Sequence, residues 1–92
     1  MAELLSDGEI ESRLQGSQWT REGGEIVRAW EFDDFAAAIA FVNRVADAAE
    51  QANHHPDILL HGWNRVRLSL TSHSAGGLTE PDFVLATRFD EL

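Results

Sequence analysis

Phe35, Ala38, Ile39, Val42, Val45, Ala46 and Ala49 recur at steps of three and four residues, the spacing that lines one side of an α-helix. A stripe of that length must be covered, so the rest of the chain has to supply an apolar surface broad enough to lie under it. Asp33 stands just before the stripe and can cap the first turn through its carboxylate. Pro56 sets the far limit, because it has no amide proton to give and disfavours helical geometry at His55. The spacing therefore predicts a helix from roughly Asp34 to Asn53.

The covering surface reads as a sheet. Two extended segments between Trp19 and Phe32 flank Glu22-Gly23-Gly24-Glu25, whose paired glycines supply the positive φ angles of a tight hairpin. In its second arm Arg28 shares a face with Ile26 and Trp30, so one aliphatic Arg stem is expected to lie across that face. Farther on, Val66, Leu68 and Leu70 alternate with Arg65, Arg67, Ser69 and Thr71, the pattern of a strand with one buried and one wet face. Asp57 to His61 is its hairpin partner. Ser6 and Glu9 form a capping box with Leu5 and Ile10 at the staple positions, which predicts a short helix from about Asp7 to Leu14, ended by Gly16. Thr79 and Asp82 repeat that cap after Gly76-Gly77 breaks the chain, and a last helix carries Phe83, Ala86 and Phe89. The order is α-β-β-α-β-β-α, an α+β domain with helices on one face of an antiparallel sheet. No linker or repeat divides residues 1–92, so one domain is expected.

Charge and composition remove several functions. Sixteen acidic against seven basic residues give a net charge of −9, which repels phosphate backbones and anionic headgroups and argues against nucleic-acid or membrane binding. The chain has no Cys, which excludes disulfides, thiolate metal sites and cysteine nucleophiles and is compatible with a reducing cytoplasm. The opening residues lack a basic stretch followed by an apolar one, and no apolar run reaches membrane-spanning length. At 92 residues with three Trp and five Phe, the chain is short for the apolar surface it carries, which points to a homo-oligomer.

The residues with chemistry in them are concentrated in one half. Asn53-His54-His55-Pro56, Trp63-Asn64-Arg65-Val66 and the run from Ser72 through His73 to Asp82 hold three of the four histidines. Imidazole, with an ordinary pKa of about 6.5, serves as acid or base near neutral pH. Two histidines in opposite protonation states suffice for an elimination in which one group takes a proton and another protonates a departing oxygen. One would come from the end of the long helix and one from the far end of the last strand. Each residue also has a plainer reading. Adjacent histidines before a proline suit a polar helix terminus, where His54 is favourable against the helix dipole. Asp82 fits a cap better than a catalyst, His61 reads as surface, and Arg65 and Arg67 read as a solvated strand face. A zinc site is disfavoured because neighbouring extended residues point to opposite faces and a catalytic zinc takes three protein ligands.

These blocks resemble the pterin-4a-carbinolamine dehydratase family, whose pattern is His-His-Pro, an aromatic with Asn shortly after, Ser/Thr-His, and Gly-Leu-Ser/Thr ahead of Asp. The likeness extends over nearly the whole chain and includes Trp19, Phe35, Phe41 and Glu50, four residues before His54. It implies a saddle-like four-stranded antiparallel sheet with three helices on one side, assembled as a homodimer or homotetramer. It also implies loss of water from 4a-hydroxytetrahydropterin to give quinonoid dihydropterin in the cytoplasm, with the pterin as substrate and no cofactor or metal. Carried over by motif, His54 and His73 are acid/base residues, His55 and Pro56 shape and bind the pocket, and Asp82 supports the histidines. Glu50, Trp63 and Ser72 complete the expected substrate-binding or supporting set. Trp63 stands where Tyr is frequent, and Asp57 to Gly62 is one residue longer than in many relatives. A non-catalytic interaction protein on the same scaffold is the alternative, since fold alone does not guarantee activity. Sedimentation at micromolar concentration is expected to give a dimer or larger species; a monomer would contradict the oligomer expectation.

Overall fold

The computed structural model of the protein describes residues 3–92. Eight residues of helix α1 (Asp7–Leu14) lead into strands β1 (Thr20–Glu22) and β2 (Glu25–Glu31). Helix α2 (Phe35–Ala52) follows, then β3 (Asp57–His61), β4 (Arg65–Leu70), a 3-10 turn at His73–Ala75 and helix α3 (Glu80–Asp90). All strand pairs are antiparallel, in the order β1-β2-β4-β3. The expected α-β-β-α-β-β-α succession and α+β class are therefore what the chain adopts.

Register decides which side chains face the helices. Ile26 pairs with Leu70, Arg28 with Leu68 and Trp30 with Val66, so these six share one face of the pleat. Val66, Leu68, Leu70 and Ile26 are fully buried there against Phe41 and Val45 of α2 and Leu85 and Phe89 of α3. Arg28 lies on that apolar face as its alternation requires. Its guanidinium sits over the Trp30 ring, 4.4 Å from the centroid, and meets Asp90 Oδ1 at 2.5 Å. The same Asp90 oxygen accepts from Trp19 Nε1 at 2.8 Å, so the last turn of α3 ties down both a cation and a buried indole. Trp19, Trp30 and Phe41 form an aromatic chain through the core, at centroid separations of 5.9 and 4.8 Å.

Two features of α2 differ from the sequence expectation. Asp34, rather than Asp33, caps the helix, accepting from the Ala37 amide at 2.7 Å. The buried arc is also rotated: Ala38, Phe41, Val45, Ala48 and Ala49 face the sheet, while Phe35 and Ile39 are 53% and 39% exposed and Ala46 lies outside as well. Only Asn43, Arg44, Asp47, Glu50 and Gln51 are polar in this helix, so the apolar arc is wider than the sheet can cover. Alanines at 38, 48 and 49 let the helix approach the sheet closely, and Phe41 fills the remaining depth.

α1 is anchored by its capping box: Ser6 N–H donates to Glu9 Oε1 at 3.1 Å and Glu9 N–H to Ser6 Oγ at 3.2 Å. Hydrogen bonding from the Ser6 amide first, and then from the Ser6 side chain, holds the Glu9 carboxyl below its ordinary pKa. Its contribution is thus present above the ordinary Glu range and is lost as pH falls through the lowered value. Among the described residues no helix is long and apolar enough to cross a membrane. Phe41→Ala is expected to cost about 3–5 kcal/mol in a denaturant titration, whereas Ile39→Ala should cost less than about 1 kcal/mol; the reverse ranking would contradict the rotated face.

Candidate active site

Helix α2 ends because Asn53 takes the left-handed conformation, φ 48° and ψ 41°, which Asn tolerates better than most residues. The His54 amide closes the turn on the Ala49 carbonyl at 3.2 Å. The chain leaves the helix axis at this point and carries His54 over the start of α3. There Nε2 of His54 lies 2.5 Å from Oδ1 of Asp82.

Asp82 is fully buried, and its other oxygen is surrounded by donors. Oδ2 accepts from Ser72 Oγ at 2.8 Å and from the Thr79 amide at 2.9 Å. Thr79 Oγ1 stands 2.7 Å from Ser72 Oγ. With the Ser72 hydrogen given to the carboxylate, the consistent arrangement has the Thr79 hydroxyl donating to Ser72. No buried side-chain N or O among the described residues lacks a partner. A carboxylate acting purely as acceptor places the shared proton on His54 Nε2. In the neutral ring Nδ1 then carries the lone pair, and no hydrogen bond to it occurs among the described residues.

Ser72 also begins the segment bearing the third histidine. Its amide donates to the Gly77 carbonyl at 3.0 Å, and the Gly77 amide returns to the Ser72 carbonyl at 3.3 Å. This two-way bridge closes a narrow neck under His73, Ser74, Ala75 and Gly76. The neck is packed from outside by the N-terminal segment: Leu4 bridges Thr79, Leu5 N–H donates to the Leu78 carbonyl at 2.9 Å, and a Cβ on Gly77 would stand 3.1 Å from Leu4 Cδ2. His73 is exposed at the start of the 3-10 turn. Strand β4 stops at Leu70, so His73 lies on a loop beyond the strand rather than at its end.

His54, His55 and His73 line one cavity of about 360 Å³, with Asn53, Ser72 and Thr79 also in its wall. His54 stands between it and a more apolar recess of about 330 Å³ formed by Ala52, Pro81, Val84 and Leu85. His55 Nε2 meets Glu50 Oε2 at 2.6 Å, on the surface. Glu50, four residues before His54 in the chain, thus pairs with His55, the residue after His54. Pro56 is half-buried beside the cavity wall and starts the chain towards β3.

Trp63 is elsewhere. It is 61% exposed at the turn between β3 and β4, with φ 61°, at the opposite end of β3 from the cavity and about 15 Å along the strand. Within one chain it does not border the pocket. Its neighbour Asn64 is the buried member of that turn: its side chain donates to the Phe32 carbonyl at 2.9 Å, and Phe32 N–H donates to the Asn64 carbonyl at 2.8 Å. Register pairs His61 with Arg65, so Gly62, Trp63 and Asn64 form the turn in this longer segment. His61 is exposed, and Arg65 and Arg67 lie on the face away from the helices. Thr79 was legible only as a cap; its hydroxyl and its place in the cavity wall depend on a contact with Ser72 that spacing does not specify. No group of three or more His, Cys, Asp or Glu among the described residues is arranged to hold a metal ion.

The sequence model of a family described as pterin 4 alpha carbinolamine dehydratase matches residues 3–92. The chain belongs to the pterin-4a-carbinolamine dehydratase family. A relative from Roseiflexus sp. (strain RS-1), provisionally named for that dehydratase, is 55% identical over 93 residues, covering 100% of this chain and 99% of its own. The crystal structure of a transcriptional coactivator/pterin dehydratase from Brucella melitensis has a TM-score of 0.88 at 31% identity, covering 95% of each chain. A pterin dehydratase-like RuBisCO assembly factor of the alpha-carboxysome shares the fold, with a TM-score of 0.64 at 23% identity over 79% of this chain and 83% of its own.

The buried and exposed carboxylates of this family member differ in consequence. Asp82→Ala strands three donors in the interior and is expected to cost about 3–5 kcal/mol. Glu50→Ala breaks a solvent-exposed pair and should cost less than about 1 kcal/mol. Urea titration of both variants checks the contrast.

Proposed function

We propose that the chain is a 4a-hydroxytetrahydropterin dehydratase, active as a homodimer or homotetramer in the cytoplasm. The observation that carries this reading is the convergence of His54, His55 and His73 on one cavity, with His54 held by the buried Asp82, in a chain of this family. The reaction needs no redox partner. The C4a–O bond breaks, the neighbouring N–H gives up its proton, a C=N bond forms, and the oxygen leaves as water after gaining a proton.

Asp82 orients His54 with Nδ1 free, which suits it to take the nitrogen proton. His73, in the wall of the same cavity and reachable from solvent, protonates the departing hydroxide. His55, backed by Glu50, binds the pterin. Bringing both proton-transfer groups to one bound substrate replaces collisions with buffer by a fixed geometry. Metal and cofactor are not called on in this scheme, because each proton has a side chain to receive or supply it.

A second reading has its own support. Phe35 and Ile39 on α2 and Ile58 and Leu59 on β3 are exposed apolar residues, and the similar Brucella melitensis protein is described as a transcriptional coactivator as well as a pterin dehydratase. The alternative is a non-catalytic oligomeric interaction protein on the same scaffold. Turnover of a 4a-hydroxytetrahydropterin separates the two: acceleration above buffer supports the dehydratase, and its absence supports the interaction protein. In the active protein His54→Ala and His73→Ala are expected to lower kcat by about a hundredfold to ten-thousandfold, while His55→Ala chiefly raises KM. Rates are read above the spontaneous reaction. Wild-type turnover in a folded variant lacking both His54 and His73 would overturn the mechanism.

A further inference from the structure

Dehydration by two histidines on separate segments requires that those segments keep a fixed relation, and Ser72, bonded to Asp82, links them. Ser72 is 8% exposed. Its hydroxyl donates to Asp82 Oδ2 at 2.8 Å, on the carboxylate whose other oxygen holds His54. Its backbone makes both bonds of the neck closing the His73 loop, and His73 is the next residue. We infer that Ser72 is a positioning residue that locks His54 and His73 into one frame, acting through Asp82 on the first and through the loop neck on the second. This inference rests on the dehydratase reading for its kinetic consequence but not for its geometric one.

The hydroxyl is suited to this by its limited hydrogen-bonding capacity. It has one hydrogen, committed to Asp82, and accepts from Thr79 Oγ1 at 2.7 Å, so its rotation is fixed from both sides. Removing it leaves Asp82 Oδ2 with the Thr79 amide as its one close donor, and Thr79 Oγ1, 3.4 Å from that oxygen, loses its nearer partner. The Thr79 hydroxyl is then drawn towards the carboxylate. Asp82 is pulled towards α3 and away from Ser72, and its alignment with His54 Nε2 is relaxed. The backbone neck can remain closed, yet it is no longer pinned to the carboxylate. The two histidines then move independently.

Three variants and two readouts test this. Ser72→Ala should lower kcat by about tenfold to a hundredfold, the scale set by misplacing a reacting group by about 1 Å, with KM changed much less. Ser72→Thr, which keeps the hydroxyl, should restore most of the activity. Ser72→Cys, with a weak donor of similar size, should behave like Ser72→Ala. It provides the comparison if the alanine variant does not fold. In a protein already lacking His54 and His73, removing the hydroxyl should cause no further loss, because a positioning residue has nothing left to position. Imidazole nitrogen resonances supply the second readout. The wild type should show His54 as the single Nε2–H tautomer, and Ser72→Ala or Ser72→Cys should show a mixture.

Wild-type kcat in Ser72→Ala would overturn the inference, as would an unchanged His54 tautomer in both hydroxyl-free variants. So would an equal loss in the background lacking both histidines. A wild-type protein without turnover would refute the dehydratase reading alone, since the tautomer measurement still decides whether Ser72 sets His54.

Discussion

A carboxylate with no access to water has to be solvated by the protein, and this fold arranges that for Asp82. The donors come from three places: the loop after β4, the cap of α3 and the end of α2. Each would otherwise be a surface terminus with frayed polar groups. Because Asp82 draws them to a common point, the C-terminus of one helix, the N-terminus of another and the end of a strand meet at fixed separation. The cavity is the space left among them. Burying an ion costs several kcal/mol unless its hydrogen bonds are all made, so the arrangement tolerates little partial assembly.

The sheet supplies the platform for that meeting, and its register shows how polar groups are accommodated on an apolar face. Arg28 is placed among Ile26, Trp30 and Leu68 by alternation, and it is satisfied by Asp90 and stacked on Trp30. The strand keeps its pleat, and the charge reaches the rim of the core. Asn64 does comparable work at the other end, closing the turn of one hairpin onto the end of the other through two hydrogen bonds with Phe32. Both hairpins are thereby held in one twisted layer.

Elements whose signals are local could be read directly from the chain. The two capping boxes, the paired-glycine hairpin, the alternation in β4 and the proline limit on α2 each depend on residues within a few positions of one another. Three other features depend on what lies across space. The arc of α2 that is buried could not be fixed by periodicity, because all of its first eight residues are apolar and only the sheet selects among them. The partner of Glu50 was not specified by its place in the chain, and the turn through left-handed Asn53 gives it to His55. The Ser72–Thr79–Asp82 contacts join residues whose types are legible as a loop and a cap but whose shared carboxylate is visible only after folding. The three histidines that line the cavity stand in the motif, whereas their connections to other residues could not be read from it. Trp63, grouped with them by motif, sits at a hairpin tip of this chain.

The closed neck between Ser72 and Gly77 also bears on how such a protein changes over evolutionary time. Residues 73 to 76 form an excursion whose two ends are joined to each other before they join anything else. A neck of this kind separates the loop's length and composition from the network beneath it: substitutions or insertions above it leave Ser72, Thr79 and Asp82 in place. Loop closure entropy rises only slowly with added residues, so such variation is mild in its effect on folding. Ser74 and Ala75 of the cavity wall can therefore change around His73 without rebuilding the buried network that holds His54.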